Sequence, residues 1–126
     1  MPEVPTDPTP VRSSAISLWQ HARRVNAWLD SRNPDDAQET ALRLLKIGEE
    51  AGEAFQAYIG ASGQNPRKGV THTPSDVAVE LCDVIVAAAV ALHRFTEDPE
   101  DTFDWALLAA HDRLGEQLKR QFGTSR

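Results

Sequence analysis

Residues 77–92 are almost wholly apolar, yet they contain two carboxylates, Glu80 and Asp83. The neighbouring apolar side chains surround these two positions on every side of a helix, and a helix that is apolar all round is normally buried. Burying two carboxylates without partners would be very costly. The folded chain therefore has to provide a cation, a basic side chain or a water-filled cleft beside them.

A second acidic cluster, Glu49, Glu50 and Glu53, lies in the preceding helical segment. Positions three apart share one face of a helix, so both clusters present paired carboxylates on one side. Taken alone, the cluster on the second helix is most often a solvated face. Two helices with facing carboxylates form the oxygen-rich site that a hard divalent cation such as Mg²⁺ prefers.

Two interpretations of Glu80 and Asp83 stay open on the residues alone. One is ion pairing with a basic side chain from another helix, for which the candidates are Lys46, Arg43 and Arg23. The other is a divalent metal site, which is favoured because the second cluster repeats the same spacing. A metal site of this kind predicts metal-assisted chemistry on phosphates.

Apolar periodicity predicts four helices and no strand, which together indicate an all-α, four-helix-bundle-like fold. Residues 1–12 hold four of the eight prolines and are expected to form a flexible arm before a single helical domain, residues 13–126. Ser13 or Ser14 is the expected first cap, and the second helix is predicted over 36–61. Ser75 and Asp76 are expected to cap the third helix, which should end at 94 or 95. The fourth helix is expected to end near 122.

The second helix has a predicted core stripe that lies roughly opposite its acids: Leu44, Ile47, Ala51, Phe55 and Tyr58. Gly48 and Gly52 are four apart and are expected to allow the close approach of a neighbouring helix. Cys82 is expected to be a small core residue. Because the third helix is apolar on all sides, we expect a homodimer or a larger homo-oligomer to cover what one chain cannot.

Composition restricts the partners. The net charge of −6 argues against a general nucleic-acid binder, which needs a basic face. The single cysteine excludes an internal disulfide and suits a reducing cytoplasm, where we expect the protein to work. The first residues are neither basic nor apolar, so no signal peptide is expected. The longest apolar run, residues 81–92, is too short to span a bilayer, so no membrane partner is expected.

The pattern Glu-Glu-x-x-Glu, followed 27 residues later by Glu-x-x-Asp, resembles that of the MazG-type all-α nucleoside triphosphate pyrophosphohydrolases. Residues 45–54 and 79–85 are similar to the two core helices of that family. Residues 63–69, Gly-Gln-Asn-Pro-Arg-Lys-Gly, are similar to a MazG-like subgroup common in actinobacteria. The resemblance covers roughly residues 40–95.

The resemblance implies an oligomeric helical bundle that holds Mg²⁺, with Mn²⁺ as an alternative. It also implies hydrolysis of a nucleotide between its α and β phosphates, giving a monophosphate and pyrophosphate. By position, Glu50, Glu53, Glu80 and Asp83 are the predicted metal ligands. Glu49 is a further ligand or the base that orients water, and the exchange of these roles between Glu49 and Glu50 stays open.

Members of the family often carry a Lys and an Asn on the helix after the second motif, but residues 103–114 contain neither. Arg67 and Lys68, in the glycine-rich loop, are predicted to contact phosphate instead; a solvated basic turn is the alternative. Lys46 and Trp19 complete the predicted substrate contacts, Trp19 because family members tend to wall the base pocket with the first helix. Two other functions stay open: hydrolysis of another pyrophosphate-linked metabolite, and a non-catalytic module with a retained metal site.

Overall fold

The computed structural model describes residues 16–123, and these form four α-helices and no strand. Their bounds are α1 Leu18–Arg32, α2 Ala37–Ser62, α3 Pro74–Leu92 and α4 Pro99–Phe122. The all-α prediction is confirmed. The predicted arm, residues 1–12, and the predicted caps Ser13 and Ser14 lie outside the described residues.

Side-chain caps fix where the first three helices begin. Ser17 caps α1 in a reciprocal pair with Gln20, with donor–acceptor distances of 2.9 and 3.0 Å. Thr73 and Asp76 form the same box at α3, with Pro74 at the first helical position. The predicted cap at Ser75 and Asp76 is therefore wrong, because Asp76 is the third helical residue that reaches back to Thr73.

Alanine dominates the interface of α1, α2 and α3. Helix α3 packs along α2 and against α1, and the buried apolar side chains of the described residues are small: Ala22, Ala54, Ala57, Ala87, Ala89, Val90 and Ala91. Larger side chains of α1, including Leu18, Trp19, Val25 and Leu29, pack partly buried around this core. Small side chains let the helices approach closely, but each contributes little apolar area to stability.

The inward face of α2 differs from the predicted stripe. Leu44, Phe55 and Tyr58 are 48%, 66% and 67% exposed. The positions that face the other helices share one face of α2, at spacings of four, seven, four and three residues: Glu39, Arg43, Glu50, Ala54 and Ala57. Periodicity assigned the core to apolar side chains, whereas this helix buries charged side chains that satisfy one another.

Burial in α3 is confined to its C-terminal half. Val79, Leu81 and Ile85 are more than half exposed, and Cys82 is exposed as well. The predictions of a third helix buried on all sides and of a core cysteine are therefore wrong for the single chain, because α1 and α2 cover one side only. Likewise, a Cβ built on Gly48 or Gly52 meets no atom within 4 Å, so no described helix approaches α2 there.

Helix α4 lies along none of the other three helices. Its recorded aromatic contact joins Phe103 to Trp19, with ring centroids 5.7 Å apart. None of its residues is buried, and large apolar side chains such as Trp105 and Leu108 are more than half exposed. Within residues 16–123, no helix combines the length and apolarity needed to cross a membrane.

A buried polar network ties the three packed helices together. Arg43 of α2 donates to Asn26 Oδ1 and to Asp30 Oδ1, both at 2.7 Å, and to Glu39 Oε1 at 3.0 Å. Asn26 in turn donates to the Val90 carbonyl of α3 at 3.1 Å. The Arg43 side chain is only 4% exposed, so this network replaces the water that a guanidinium otherwise requires.

We expect Arg43→Met to lower the free energy of unfolding by about 3–5 kcal/mol, as when one partner of a buried ion pair is removed. The loss arises because Asn26 Oδ1 loses its Arg43 donor and the buried Glu39 carboxylate loses its positive partner, keeping only the Asn33 donor. Urea unfolding followed by circular dichroism measures the change.

Lys119→Met is the matched control, because Lys119 forms an exposed ion pair with Glu116 at 3.6 Å. Its cost should lie within about 0.5 kcal/mol. Equal stability losses in the two variants would contradict the structural role given to Arg43.

Candidate functional site

Three carboxylates meet where α2 faces α3. One oxygen each from Glu50, Glu80 and Asp83 lies within 4.8 Å of the others. Glu50 belongs to the inward stripe of α2, and Glu80 and Asp83 are one helical turn apart on α3. Divalent cations sit roughly 2.0–2.6 Å from carboxylate oxygens, so oxygens spaced in this way fit around one ion.

Glu80 supports that fit with a second observation. Its Oε2 atom is buried and has no hydrogen-bond partner among the described residues. Neither Glu80 nor Asp83 forms an ion pair within residues 16–123. The alternative in which Lys46, Arg43 or Arg23 neutralises this pair is therefore not what the chain does. A carboxylate oxygen removed from water and left without a donor is a suitable ligand for a hard cation.

Glu53 belongs to the same electrostatic group. The negative charge of Glu50 raises the pKa of Glu53, and desolvation and the charge of Glu80 act in the same direction. Like charges that crowd one site disfavour ionisation, which is the signature of an acid cluster without enough positive charge. The four predicted metal ligands therefore lie together, with Glu53 at the edge of the three-carboxylate group.

Lys46 is the basic side chain that touches these acids. Its Nζ lies 3.2 Å from Glu49 Oε2 and 3.3 Å from Glu50 Oε1. Glu49 and then Glu50 raise the pKa of Lys46 by hydrogen bonding to its ammonium. Glu49 is 59% exposed, whereas the Glu50 side chain is 14% exposed. Neighbours in sequence thus occupy different environments: Glu50 is turned into the acid group and Glu49 faces solvent.

An apolar cleft opens beside the acids, between α1, α2 and α3. Its volume is about 380 Å³, and Lys46, Glu50 and Asp83 lie at one end. Its walls are mostly apolar and come from all three helices: Val25, Trp28, Leu29, Leu42, Val86, Ala87 and Val90. Asn33, Glu39 and Arg43 also line it. A concave apolar surface with a few convergent polar groups is the usual form of a small-molecule site.

The other predicted substrate contacts lie elsewhere in the single chain. Trp19 packs near His93 and Phe103 and does not line this cleft. Arg67 and Lys68 lie beyond the end of α2, which continues for nine residues after Glu53, or about 13 Å at 1.5 Å per residue. Lys68 lines a separate cleft with His72 and Gln56. The structure therefore brings Lys46 to the acids, but not Trp19, Arg67 or Lys68.

Sequence reasoning missed Trp28, Asn33, Glu39 and Arg43 as parts of this cleft. A signal was available for two of them. Glu39, Arg43, Lys46 and Glu50 recur at spacings of four, three and four, so they share one face of α2. Trp28 and Asn33 carried no such signal, because their place depends on how α1 crosses the other two helices.

Comparison of the chain with protein-family models, with curated proteins and with solved structures finds no match in any of the three.

We expect Glu53→Gln to raise the free energy of unfolding at pH 7 in metal-free buffer. A carboxyl whose pKa is raised in the folded state destabilises that state once it ionises. The gain should be largest above the folded-state pKa and should disappear as the pH falls below the ordinary value of 4.5. Urea unfolding between pH 4 and pH 7 with a chelator present measures it.

Glu116→Gln is the control, because Glu116 pairs with Lys119 on α4 and not with other acids. It should show no such gain. A loss of stability in Glu53→Gln at pH 7 without metal would contradict the repulsion described above.

Proposed function

We propose that this protein is a Mg²⁺-dependent nucleoside triphosphate pyrophosphohydrolase of the MazG-like all-α type. The proposed reaction converts a nucleoside triphosphate to its monophosphate and pyrophosphate. The observation that carries the proposal is the convergence of Glu50, Glu80 and Asp83 at one end of an apolar cleft. The two parts suit the two halves of a nucleotide.

The cleft matches the base and sugar. It is lined by Trp28 and Leu29 of α1, Leu42 of α2 and Val86 of α3. Flat apolar and aromatic walls bury a heterocycle favourably, and an indole can stack on it. The phosphates of a nucleotide seated in this way extend towards Glu50 and Asp83.

The carboxylates alone would repel a triphosphate, so the proposal requires divalent cations at the acids. Glu50, Glu53, Glu80 and Asp83 would hold Mg²⁺, or Mn²⁺ as an alternative. Such an ion would supply positive charge between the carboxylates and the phosphates, and it would lower the pKa of a water molecule and offset charge on the leaving group. The unpartnered Glu80 Oε2 favours this assignment.

Glu49 and Glu50 receive different roles in this proposal. Glu50 lies within the group of ligand oxygens, so it is assigned to the metal. Glu49 lies outside that group and keeps a solvent-facing carboxylate, which suits a base that orients a water molecule. The water oxygen attacks the α-phosphorus, its proton passes to Glu49, and the bond from the α-phosphorus to the bridging oxygen breaks. Pyrophosphate leaves with that oxygen.

Lys46 is assigned to the phosphates. It lines the cleft and lies within 3.3 Å of Glu50. If Glu50 held a cation, the Lys46 ammonium would lose part of its attraction to that carboxylate and would be free to turn towards an anionic ligand. Charge-assisted contacts of this kind are worth roughly 1.5–3 kcal/mol each.

We expect wild-type protein to bind Mn²⁺ or Mg²⁺ in calorimetric titration and Asp83→Asn to bind it much more weakly. Incubation with a panel of nucleoside triphosphates and Mg²⁺ should release pyrophosphate and not orthophosphate. Asp83→Asn should lower kcat/KM at least about 100-fold, since losing a ligand removes both the charge balance and the placement of the water.

Asp104→Asn, the same change on the exposed surface of α4, is the control and should leave metal binding and turnover unchanged. Equal metal affinity in wild type and Asp83→Asn would contradict the metal site. Metal binding without any release of pyrophosphate would favour the non-catalytic module instead.

We also propose that the protein works as a homodimer. Helix α2 carries an outward face with no described neighbour, in which Leu45, Phe55 and Ile59 are more than half exposed around Gly48 and Gly52. Helix α4 likewise exposes a stripe at helical spacing: Phe103, Leu107, Leu114 and Leu118. Exposed apolar surfaces of this extent mark protein–protein contacts, and a second copy offers two faces of matching character.

We expect light scattering to give the dimer mass at micromolar concentration for the wild type and a smaller mass for Gly52→Leu. Within one chain, a side chain at position 52 meets nothing within 4 Å. Leucine also favours the helix over glycine, so the fold should be kept. The added side chain would prevent a partner helix from approaching closely.

Gln38→Leu adds the same side chain at an exposed position near the start of α2 and should leave the mass unchanged. A monomer mass for the wild type would contradict the dimer.

A further inference from the structure

The end of the cleft that lies away from the acids is polar. Asn33, Glu39 and Arg43 line it, and Glu39 and Arg43 are buried. The Glu39 side chain is 10% exposed. Polar side chains at a buried cleft end can bind a ligand only if some of their donors or acceptors are not already used within the chain.

Each donor nitrogen at this end makes one hydrogen bond within the chain. Arg43 uses Nε for Glu39, Nη1 for Asn26 and Nη2 for Asp30. Asn33 Nδ2 donates to Glu39 Oε1 at 3.1 Å. Each of these nitrogens has one acceptor, and Arg43 Nη1, Arg43 Nη2 and Asn33 Nδ2 each keep a second N–H that these bonds do not use.

The acceptors are not exhausted. Glu39 Oε1 receives both Asn33 Nδ2 and Arg43 Nε, whereas Glu39 Oε2 receives no hydrogen bond among the described residues. Asn33 Oδ1 likewise accepts none there. Glu39 and Asn33 both line the cleft, so these two oxygens, which receive no hydrogen bond, form an acceptor pair that suits a ligand group offering N–H bonds.

We propose that this acceptor pair selects nucleotides whose base carries an exocyclic amino group. The inference rests on the proposed function and assigns its substrate class. An amino group offers two N–H donors, one for Glu39 Oε2 and one for Asn33 Oδ1. An oxo group at the same position of the base would place a third oxygen against these two and leave both acceptors without a donor, which costs binding free energy.

The dimensions of α2 are consistent with one ligand that reaches both ends. Glu39 and Glu50 are eleven residues apart on the same stripe, or about 16 Å at 1.5 Å per residue. A base at the Asn33 end thus leaves its sugar along the apolar walls and its phosphates near Glu50. The acceptor pair reads the base, and the acid group holds the phosphates.

Two matched substrate pairs test the selection in the full-length protein with Mg²⁺. dCTP and dUTP differ at the 4-position by an amino or an oxo group, and ATP and ITP differ in the same way at the 6-position. We expect kcat/KM for at least one amino-bearing member to exceed that of its oxo counterpart about tenfold or more. Equal or reversed values in both pairs would overturn the inference.

Glu39→Gln sharpens the test. Glutamine keeps one oxygen for Arg43 and Asn33 but replaces the free acceptor with an NH₂ donor. The ratio of kcat/KM values within a pair should fall at least about fivefold, towards the oxo substrate. This ratio does not depend on what fraction of the variant is folded. If Glu39→Gln does not fold, Asn33→Ala is the alternative variant. It removes the second acceptor at the half-exposed end of α1 and should lower the same ratio of kcat/KM values.

Nucleoside binding separates this inference from the proposed function. Calorimetry with cytidine and uridine, and with adenosine and inosine, needs neither phosphate nor metal. Preferential binding of an amino nucleoside without hydrolysis of any triphosphate would keep the inference and overturn the hydrolase. Hydrolysis of triphosphates without discrimination between amino and oxo bases would overturn the inference and keep the hydrolase. Equal binding of the two nucleosides in both pairs would also overturn the inference, whether or not triphosphates are hydrolysed.

Discussion

The fold depends on one guanidinium. Arg43 of α2 reaches Asn26 of α1, and Asn26 reaches the Val90 carbonyl of α3. The apolar contacts among these helices are made mostly by alanines, and none of the described large side chains is completely buried. An alanine core brings helices close together but specifies their register weakly, since similar small side chains can exchange places. The directional hydrogen bonds of Arg43 supply the register that the alanines do not. They also place α1 at the distance from α2 at which a cleft stays open.

The site follows from the same stripe of α2. Towards its N-terminal end the charges on this stripe balance, because Arg43 has Glu39 and Asp30. One turn further on, Lys46 faces Glu49 and Glu50. Beyond Lys46 the negative charges outnumber the positive ones. Glu50 and Glu53 of α2 lie beside Glu80 and Asp83 of α3. Among the described residues, no basic side chain contacts the α3 pair. The excess of negative charge is therefore local, and it sits at one end of an apolar cleft. A soluble anion would be repelled there, but a divalent cation would be attracted and could carry an anionic ligand with it.

The sequence predicted the helices and the acid group, but not how the helices pack. Local features suffice for the former: the bounds of α2 and α4 follow from periodicity and from glycine and proline, and the i, i+3 spacing puts Glu80 and Asp83 on one face. The prediction of the packing was wrong where the packing depends on partners distant in sequence. Leu44, Phe55 and Tyr58 look like a core stripe because they are apolar. Arg43 is buried because distant residues accept its hydrogen bonds, among them Asn26 and Asp30, 17 and 13 residues earlier. Trp28 lines the cleft and Trp19 does not, which depends on the rotation of α1 and not on composition.

The apolar face of α2, which the sequence predicted to be buried, is exposed for a physical reason. A helix has room for one inward face, and α2 uses it for charged side chains that shape the cleft and for carboxylates that repel one another. Its apolar face is consequently turned outward, and α4, whose apolar side chains are also exposed, does not cover it. Chains that devote their interior to polar function have to bury apolar area elsewhere, because side-chain burial is the main favourable term in folding. A second subunit would supply that burial without filling the cleft. The proposed dimer and the acidic site would then have one origin: the polar stripe of α2 faces inward, so its apolar stripe is left for a second subunit to cover.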